Sequence, residues 1–237
     1  MTEKIKPKLF LIPTPLGENA ANVIPPYVAD VIRSLDTFIV EHAKSARAAI
    51  KAIAPGIVLQ NLTLFELNEH EKTAAEAAFL STLKSGKSIG LLSDAGCPGV
   101  ADPGATIVAL AHKNKIEVVP LVGPSSILLA LMASGMNGQS FTFHGYLGAK
   151  TLDLIKDLKN LEQLAQKNKQ TQLFIETPYR NKNVFDLALQ QLQGQTRLGI
   201  AMDLTLESQY IFVTTIQEWK KTKVPDLHKR PAVFMIM

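Results

Sequence analysis

Short apolar runs alternate with helix-period segments along most of the chain, and this pattern constrains the fold more than any other feature. Residues 9–13, 36–40, 88–92 and 117–121 are compact apolar runs of strand length. Between them, Ala75, Ala78, Phe79 and Leu83 keep the spacing of one helix face, and Ile107 opens another such segment that runs to Ala111. Apolar strands that do not alternate with polar residues are buried on both faces, which needs helices above and below a mostly parallel sheet. The expected class is therefore α/β. Two helix starts are marked: Asp102-Pro103-Gly104 sets a carboxylate before a Pro suited to the first helical position, and Ser125 precedes an apolar run.

A turn-rich passage, Ser134-Gly135-Met136-Asn137-Gly138, suggests a junction between two α/β domains at 1–137 and 138–237. The second contains an amphipathic helix with Leu154, Leu158, Leu161 and Ala165 on one face, and another around Val184, Leu187, Ala188 and Leu192. Strands are expected at 172–175, 198–202, 210–215 and 232–236. With less helix between them, they imply a mixed sheet. No internal repeat or low-complexity segment is present.

Composition excludes several classes. With 46% hydrophobic and 19% charged residues, the 237-residue chain is not a disordered one. A single cysteine, Cys97, rules out a disulfide framework and a multi-cysteine zinc site. The first residues reach only four apolar positions, Leu9 to Ile12, before Pro13, too few for a signal sequence. The most apolar stretch, 118–136, is broken by Pro120, Gly123 and Pro124, so no membrane span is expected. A cytoplasmic protein is the expectation. The net charge of +4 falls wholly in the second part, where 13 Lys/Arg face 9 Asp/Glu; the first part has 12 of each. That excess fits either an ordinary solvated surface or a face for a polyanion such as RNA.

In open α/β sheets, ligands bind beyond the carboxyl ends of the strands. Three such connections are unusual here: Pro13-Thr14-Pro15-Leu16-Gly17, the segment 93–104 (Ser-Asp-Ala-Gly-Cys-Pro-Gly-Val-Ala-Asp-Pro-Gly), and Gly123-Pro124-Ser125-Ser126. Glycine lets a ligand approach the backbone, proline stiffens the loop, and Asp94 supplies an acceptor at a strand end. Three such loops at strand ends suggest a rigid pocket for an adenosine-type cofactor; taken singly, each is also a plausible tight turn. Gly-x-Gly is absent, so the dinucleotide fingerprint is missing, and Ala105-Thr106 stand where a phosphate loop needs Lys-Ser/Thr. The five histidines are far apart and form no His-Glu-x-x-His pair, so no metal is expected. Glu69-His70-Glu71 has ligand-type atoms but reads more simply as a solvated turn.

These residues carry a family resemblance. Leu-Ile-Pro-Thr-Pro-Leu-Gly at 11–17, the 93–104 segment and Val-Val-Pro-Leu-Val-Gly-Pro-Ser-Ser at 118–126 resemble the signature loops of the tetrapyrrole methylase superfamily. Within it they are most similar to the rRNA small subunit methyltransferase I branch. Phe143-His144-Gly145-Tyr146-Leu147, Leu173-Phe174-Ile175-Glu176-Thr177-Pro178-Tyr179-Arg180 and Ala201-Met202-Asp203-Leu204-Thr205 continue the likeness in order. The resemblance implies S-adenosylmethionine as methyl donor, two α/β domains with the cofactor in the cleft between them, and a homodimer. In that branch the product is a 2′-O-methylated cytidine of 16S rRNA. Carried over by position, Pro15, Asp94, Ala95, Gly96, Cys97, Val100, Ser125 and Ser126 would line the cofactor from the first domain, with Glu176, Ala201, Met202 and Ala232 from the second. The chain departs from the pattern in three places. Glu41-His42-Ala43-Lys44 replaces Glu-Asp-Thr-Arg, Met202-Asp203-Leu204-Thr205 lacks the Arg of Arg-Glu-Leu-Thr, and the sequence ends at Met237.

A ribose hydroxyl is a poor nucleophile at neutral pH, so an acceptor for its proton is expected near the pocket. Glu41, after the second strand, is the first candidate, followed by Asp94 and Glu176. Asp94 reads more simply as a contact to the cofactor alone, and Glu41 equally as a partner for Lys44 or Arg47. Lys44, Arg47, Lys51, Arg180 and Lys182 are candidates for contacts to RNA phosphates. Two other readings stay open: a methyltransferase for a tetrapyrrole-like small molecule, with Phe141, Phe143 and Tyr146 lining an apolar cleft, and a non-catalytic RNA-binding relative.

Overall fold

A computed structural model describes residues 6–67 and 72–237. Glu69-His70-Glu71 and the first five residues lie outside the described residues. The chain separates into two compact units, Met1–Ser125 and Ser126–Met237.

The first unit is built on five parallel strands in the order β3-β2-β4-β1-β5. They are β1 (Lys8–Ile12), β2 (Thr37–Val40), β3 (Thr63–Glu66), β4 (Ile89–Leu92) and β5 (Glu117–Pro120). β2 and β4 are buried at every residue, as expected for strands covered on both faces. Helices α1 (Pro26–Arg33), α2 (Ala43–Ile53), α3 (Lys72–Lys84) and α4 (Ala105–Lys113) complete the unit. Ile12, Ile32, Phe38, Val40 and Ile50 pack in one core cluster, while Leu9, Ile39, Phe79, Ile89 and Ile107 form another. Sequence periodicity located four of these strands within a residue or so at each end. It did not locate β3, whose residues are exposed or only half-buried.

The second unit begins with α5 (Ser126–Ser134), continues through β6 (Phe141–Tyr146), α6 (Thr151–Asn168), β7 (Thr171–Ile175), α7 (Asn181–Gln191), β8 (Arg197–Met202) and β9 (Tyr210–Thr215), and closes with α8 (Ile216–Trp219) and β10 (Ala232–Ile236). Its sheet runs β6-β7-β10-β8-β9; β6 and β7 are parallel and the remaining pairs antiparallel, the mixed sheet expected from sequence. Phe174 and Phe234 stack at 5.2 Å, and Trp219 meets Phe185 and Phe212 edge-on at 5.1 and 4.9 Å. The division falls before α5, whereas the turn-rich passage had suggested 137/138. α5 packs on β8, β9 and β10, so the second sheet claims it. Among the described residues, no helix is long and apolar enough to cross a membrane.

Candidate functional site

A parallel sheet brings all its carboxyl-end loops to one edge, so β1, β4 and β5, being neighbours, bring their loops into contact. Thr14 and Gly96 exchange backbone bonds, Thr14 N–H to Gly96 C=O at 2.9 Å and Gly96 N–H to Thr14 C=O at 3.1 Å. The buried Thr14 hydroxyl donates to the Ser93 carbonyl at 3.3 Å. On the other side, the Cys97 thiol lies 3.4 Å from the Pro124 carbonyl. A Cβ on Gly123 would come within 2.2 Å of Pro13, so only glycine lets the β1 and β5 loops approach this closely. Gly96 and Gly99 take φ of +78° and +83°, and Ala101 takes +60°. The three loops therefore form one stiff rim at the edge of the sheet.

Asp102 fastens the long loop from within. Its Oδ1 accepts from the N–H groups of Gly99 at 2.8 Å and Gly104 at 2.7 Å. This corrects its expected place at a helix start: α4 begins at Ala105, and the carboxylate holds the preceding loop instead. Burial pushes the Asp102 carboxyl above its ordinary value, against the opposing pull of these hydrogen bonds.

The loop after β2 adds a polar cluster. His42 Nδ1 lies 2.6 Å from Asp94 Oδ2, while Ser45 Oγ donates to the other carboxylate oxygen. Glu41 Oε2 accepts from the Asp94 N–H at 3.1 Å, and Glu66 Oε1 from the Ala43 N–H at 2.6 Å, holding the first turn of α2. Burial raises the Glu41 carboxyl, with Asp94 and Asp102 adding to the rise. The Asp94 hydrogen bond raises the His42 imidazole above its ordinary value. Burial likewise raises the Cys97 thiol, which keeps it neutral and argues against a nucleophile. Glu41, His42 and Asp94 have ligand-type atoms within 4.8 Å of one another, and of these His42 Nδ1 and Asp94 Oδ2 are joined to each other while Glu41 Oε2 accepts from the Asp94 backbone.

Among the residues expected at the cofactor, Pro15, Asp94, Ala95, Gly96, Cys97, Val100 and Ser125 belong to this rim; Ala95 and Val100 are exposed on it. Ser126 is the first residue of α5 in the second unit. Ala201 and Met202 on β8 and Ala232 on β10 are buried, Met202 directly opposite Ala232 in the sheet. Met202 and Ala232 pack in the second unit's core. Glu176 is buried with Oε1 accepting from the Thr177 N–H at 2.7 Å and Oε2 3.2 Å from Arg180 Nη1. Arg180 also donates to the Gly148 carbonyl at 3.1 Å, so it is committed within its own unit rather than extended toward a phosphate. Lys182 pairs with Asp186 at 2.6 Å on the surface, and Lys44, Arg47 and Lys51 are exposed on α2. Asp203, in the segment that lacks the family's Arg, accepts from Arg230 Nε at 2.8 Å. In the sequence His42 stands out only as one of five scattered histidines and as part of the departure at 41–44, and Ser45 and Glu66 carry no signal. Their link to the rim joins positions 52, 49 and 23 residues apart, and no local pattern signals it.

The model of the tetrapyrrole (corrin/porphyrin) methylases matches residues 8–220. The chain is 31% identical over 210 residues to ribosomal RNA small subunit methyltransferase I of Bacillus subtilis, covering 89% of this chain and 68% of that protein. It is 32% identical over 203 residues to the Vibrio cholerae protein of the same name, covering 84% and 65%. It thus spans about two-thirds of the length of these relatives. Among solved structures, the methyltransferase CobJ superposes with a TM-score of 0.63 at 17% identity, covering 97% of this chain and 93% of that one. A uroporphyrin-III C-methyltransferase from Thermus thermophilus, solved with S-adenosyl homocysteine, gives 0.51 at 12%, covering 97% and 96%. These two likenesses establish the fold alone. Matched over most of its length by the family model and by relatives of one name, the chain belongs to the tetrapyrrole methylase family, in the branch of ribosomal RNA small subunit methyltransferase I.

Proposed function

We propose that this chain is an S-adenosylmethionine-dependent methyltransferase whose acceptor is a ribose 2′-hydroxyl of small-subunit ribosomal RNA. The observation that carries it is the laced rim of the β1, β4 and β5 loops, which offers glycine backbone and the exposed Val100 side by side. Gly96 and Gly99 carry no side chains, which leaves room for a nucleoside to lie close against the rim, and Val100, half exposed, suits its apolar face. Glu41, Glu66, Asp94 and Asp102 give the rim a negative character that favours a sulfonium and an ammonium group. The donor supplies a methyl carbon already activated by the sulfonium charge. What the protein adds is position: holding acceptor oxygen and methyl near contact distance contributes about 7–11 kcal/mol in well-oriented systems. Exposed Lys44, Arg47, Lys51 and Lys182 are the cations proposed to meet phosphates. A cytoplasmic homodimer is part of the same proposal, on the strength of the family.

Labelled donor incubated with the protein and small-subunit RNA tests this. Label on a ribose hydroxyl, located by nuclease mapping and mass spectrometry, is the expected result. RNA without label, or label on a tetrapyrrole-class small molecule instead, would overturn it.

A further inference from the structure

We propose that His42, oriented by Asp94, takes the proton from the acceptor hydroxyl during methyl transfer. The assignment rests on the methyltransferase reading above and deepens it. His42 stands in extended conformation just before α2 and makes no capping bond with its side chain. Its Nδ1 is instead directed at Asp94 Oδ2, at 2.6 Å. A carboxylate only accepts, so Nδ1 carries the hydrogen and the neutral ring presents a lone pair at Nε2. The ring is 64% exposed, and Nε2 has no partner among the described residues. A histidine with one nitrogen held by a carboxylate and the other open is the arrangement of a general base.

The surrounding groups hold this pair still. Ser45 Oγ donates to the second oxygen of Asp94, and the Asp94 N–H is bound by Glu41. Glu41 was the first candidate for the proton from sequence, but it is half-buried and already accepts that N–H, so it supports Asp94. The charged groups facing His42 are Asp94 from the β4 loop, Glu66 from β3 and its neighbour Glu41, each of which favours the imidazolium. Exposed Lys44 and Arg47 follow on α2 itself. The Asp94 hydrogen bond raises the imidazole above its ordinary value, which makes Nε2 a stronger proton acceptor than that of a free histidine.

The step balances. The O–H bond breaks, its proton passes to His42 Nε2, and the oxygen pair forms the bond to the methyl carbon. The carbon–sulfur bond breaks with its pair going to sulfur, leaving a thioether, and the imidazolium later returns its proton to water. Asp94 stabilises the charged ring meanwhile; it is a positioning residue.

Two readouts test the assignment. In the full chain, nitrogen-detected NMR is expected to show His42 as the Nδ1–H tautomer, titrating above an ordinary histidine, and Asp94→Asn to lower that titration. In single-turnover methylation of small-subunit RNA, His42→Gln is expected to lower the rate about 100-fold at neutral pH and remove the inflection from the pH–rate profile. Calorimetric affinity for S-adenosylmethionine should stay within about twofold, and added imidazole should restore part of the rate to His42→Ala. Active wild type with His42→Gln unchanged in rate and profile would overturn the assignment alone. Wild type that binds the donor but methylates no RNA, or binds no donor, would overturn the function and the assignment with it.

Discussion

At the scale of single residues, close approach and local charge decide what the rim can be. Gly123→Ala would put a methyl group 2.2 and 2.4 Å from two ring carbons of Pro13. The two loops would have to part, and overpacking of this kind costs about 1–3 kcal/mol. A lower thermal midpoint and weaker binding of S-adenosylmethionine are expected, measurable by calorimetry on the same preparation. His42 carries a pH signature. Its folded pKa lies above the ordinary 6.5, so its contribution to stability is complete below that value and lost as pH rises through the folded pKa. The difference in thermal midpoint between wild type and His42→Gln should therefore be larger at about pH 6 than at about pH 8.5. The rim loops were legible in the sequence because glycine and proline announce their own backbone demands. The His42–Asp94 pair was not, because only the parallel pairing of β2 with β4 brings positions 52 apart together. The Glu176–Arg180 contact was not legible either, because a charge four residues after another gives no sign in the sequence that the two meet in a half-buried pair.

At the scale of elements, apolar runs read well where burial is complete and poorly where it is partial. β2, β4 and β10 are buried at every position and were placed from sequence; β10 matches residue for residue. β6 escaped notice because Gly145, at φ +67°, interrupts it with a shift of register against β7 between Phe143 and Tyr146. α5 is apolar nearly all round, so periodicity could not say which sheet it would join. α8 is only four residues long and is fixed by Trp219, whose Nε1–H donates to the Leu198 carbonyl at 2.8 Å. Trp219→Ala would remove the ring from between Phe185 and Phe212 together with its hydrogen bond to that carbonyl. A loss of about 3–5 kcal/mol is expected in urea unfolding followed by circular dichroism.

At the scale of the whole molecule, the two units differ in where their polar chemistry lies. The second is closed around its own side chains: Glu176 with Arg180, Asp203 with Arg230, and a core holding Met202 and Ala232. The first keeps its unusual chemistry on an exposed rim, where three loops meet an acid–histidine cluster. Titration of S-adenosylmethionine into the wild-type chain, followed by calorimetry and by assigned amide NMR shifts, tests that rim most directly. One saturable site is expected, with shifts concentrated on Leu16, Ala95, Gly96, Cys97, Val100 and Ser125. Absence of saturable heat, or shifts that leave those amides unmoved, would contradict it.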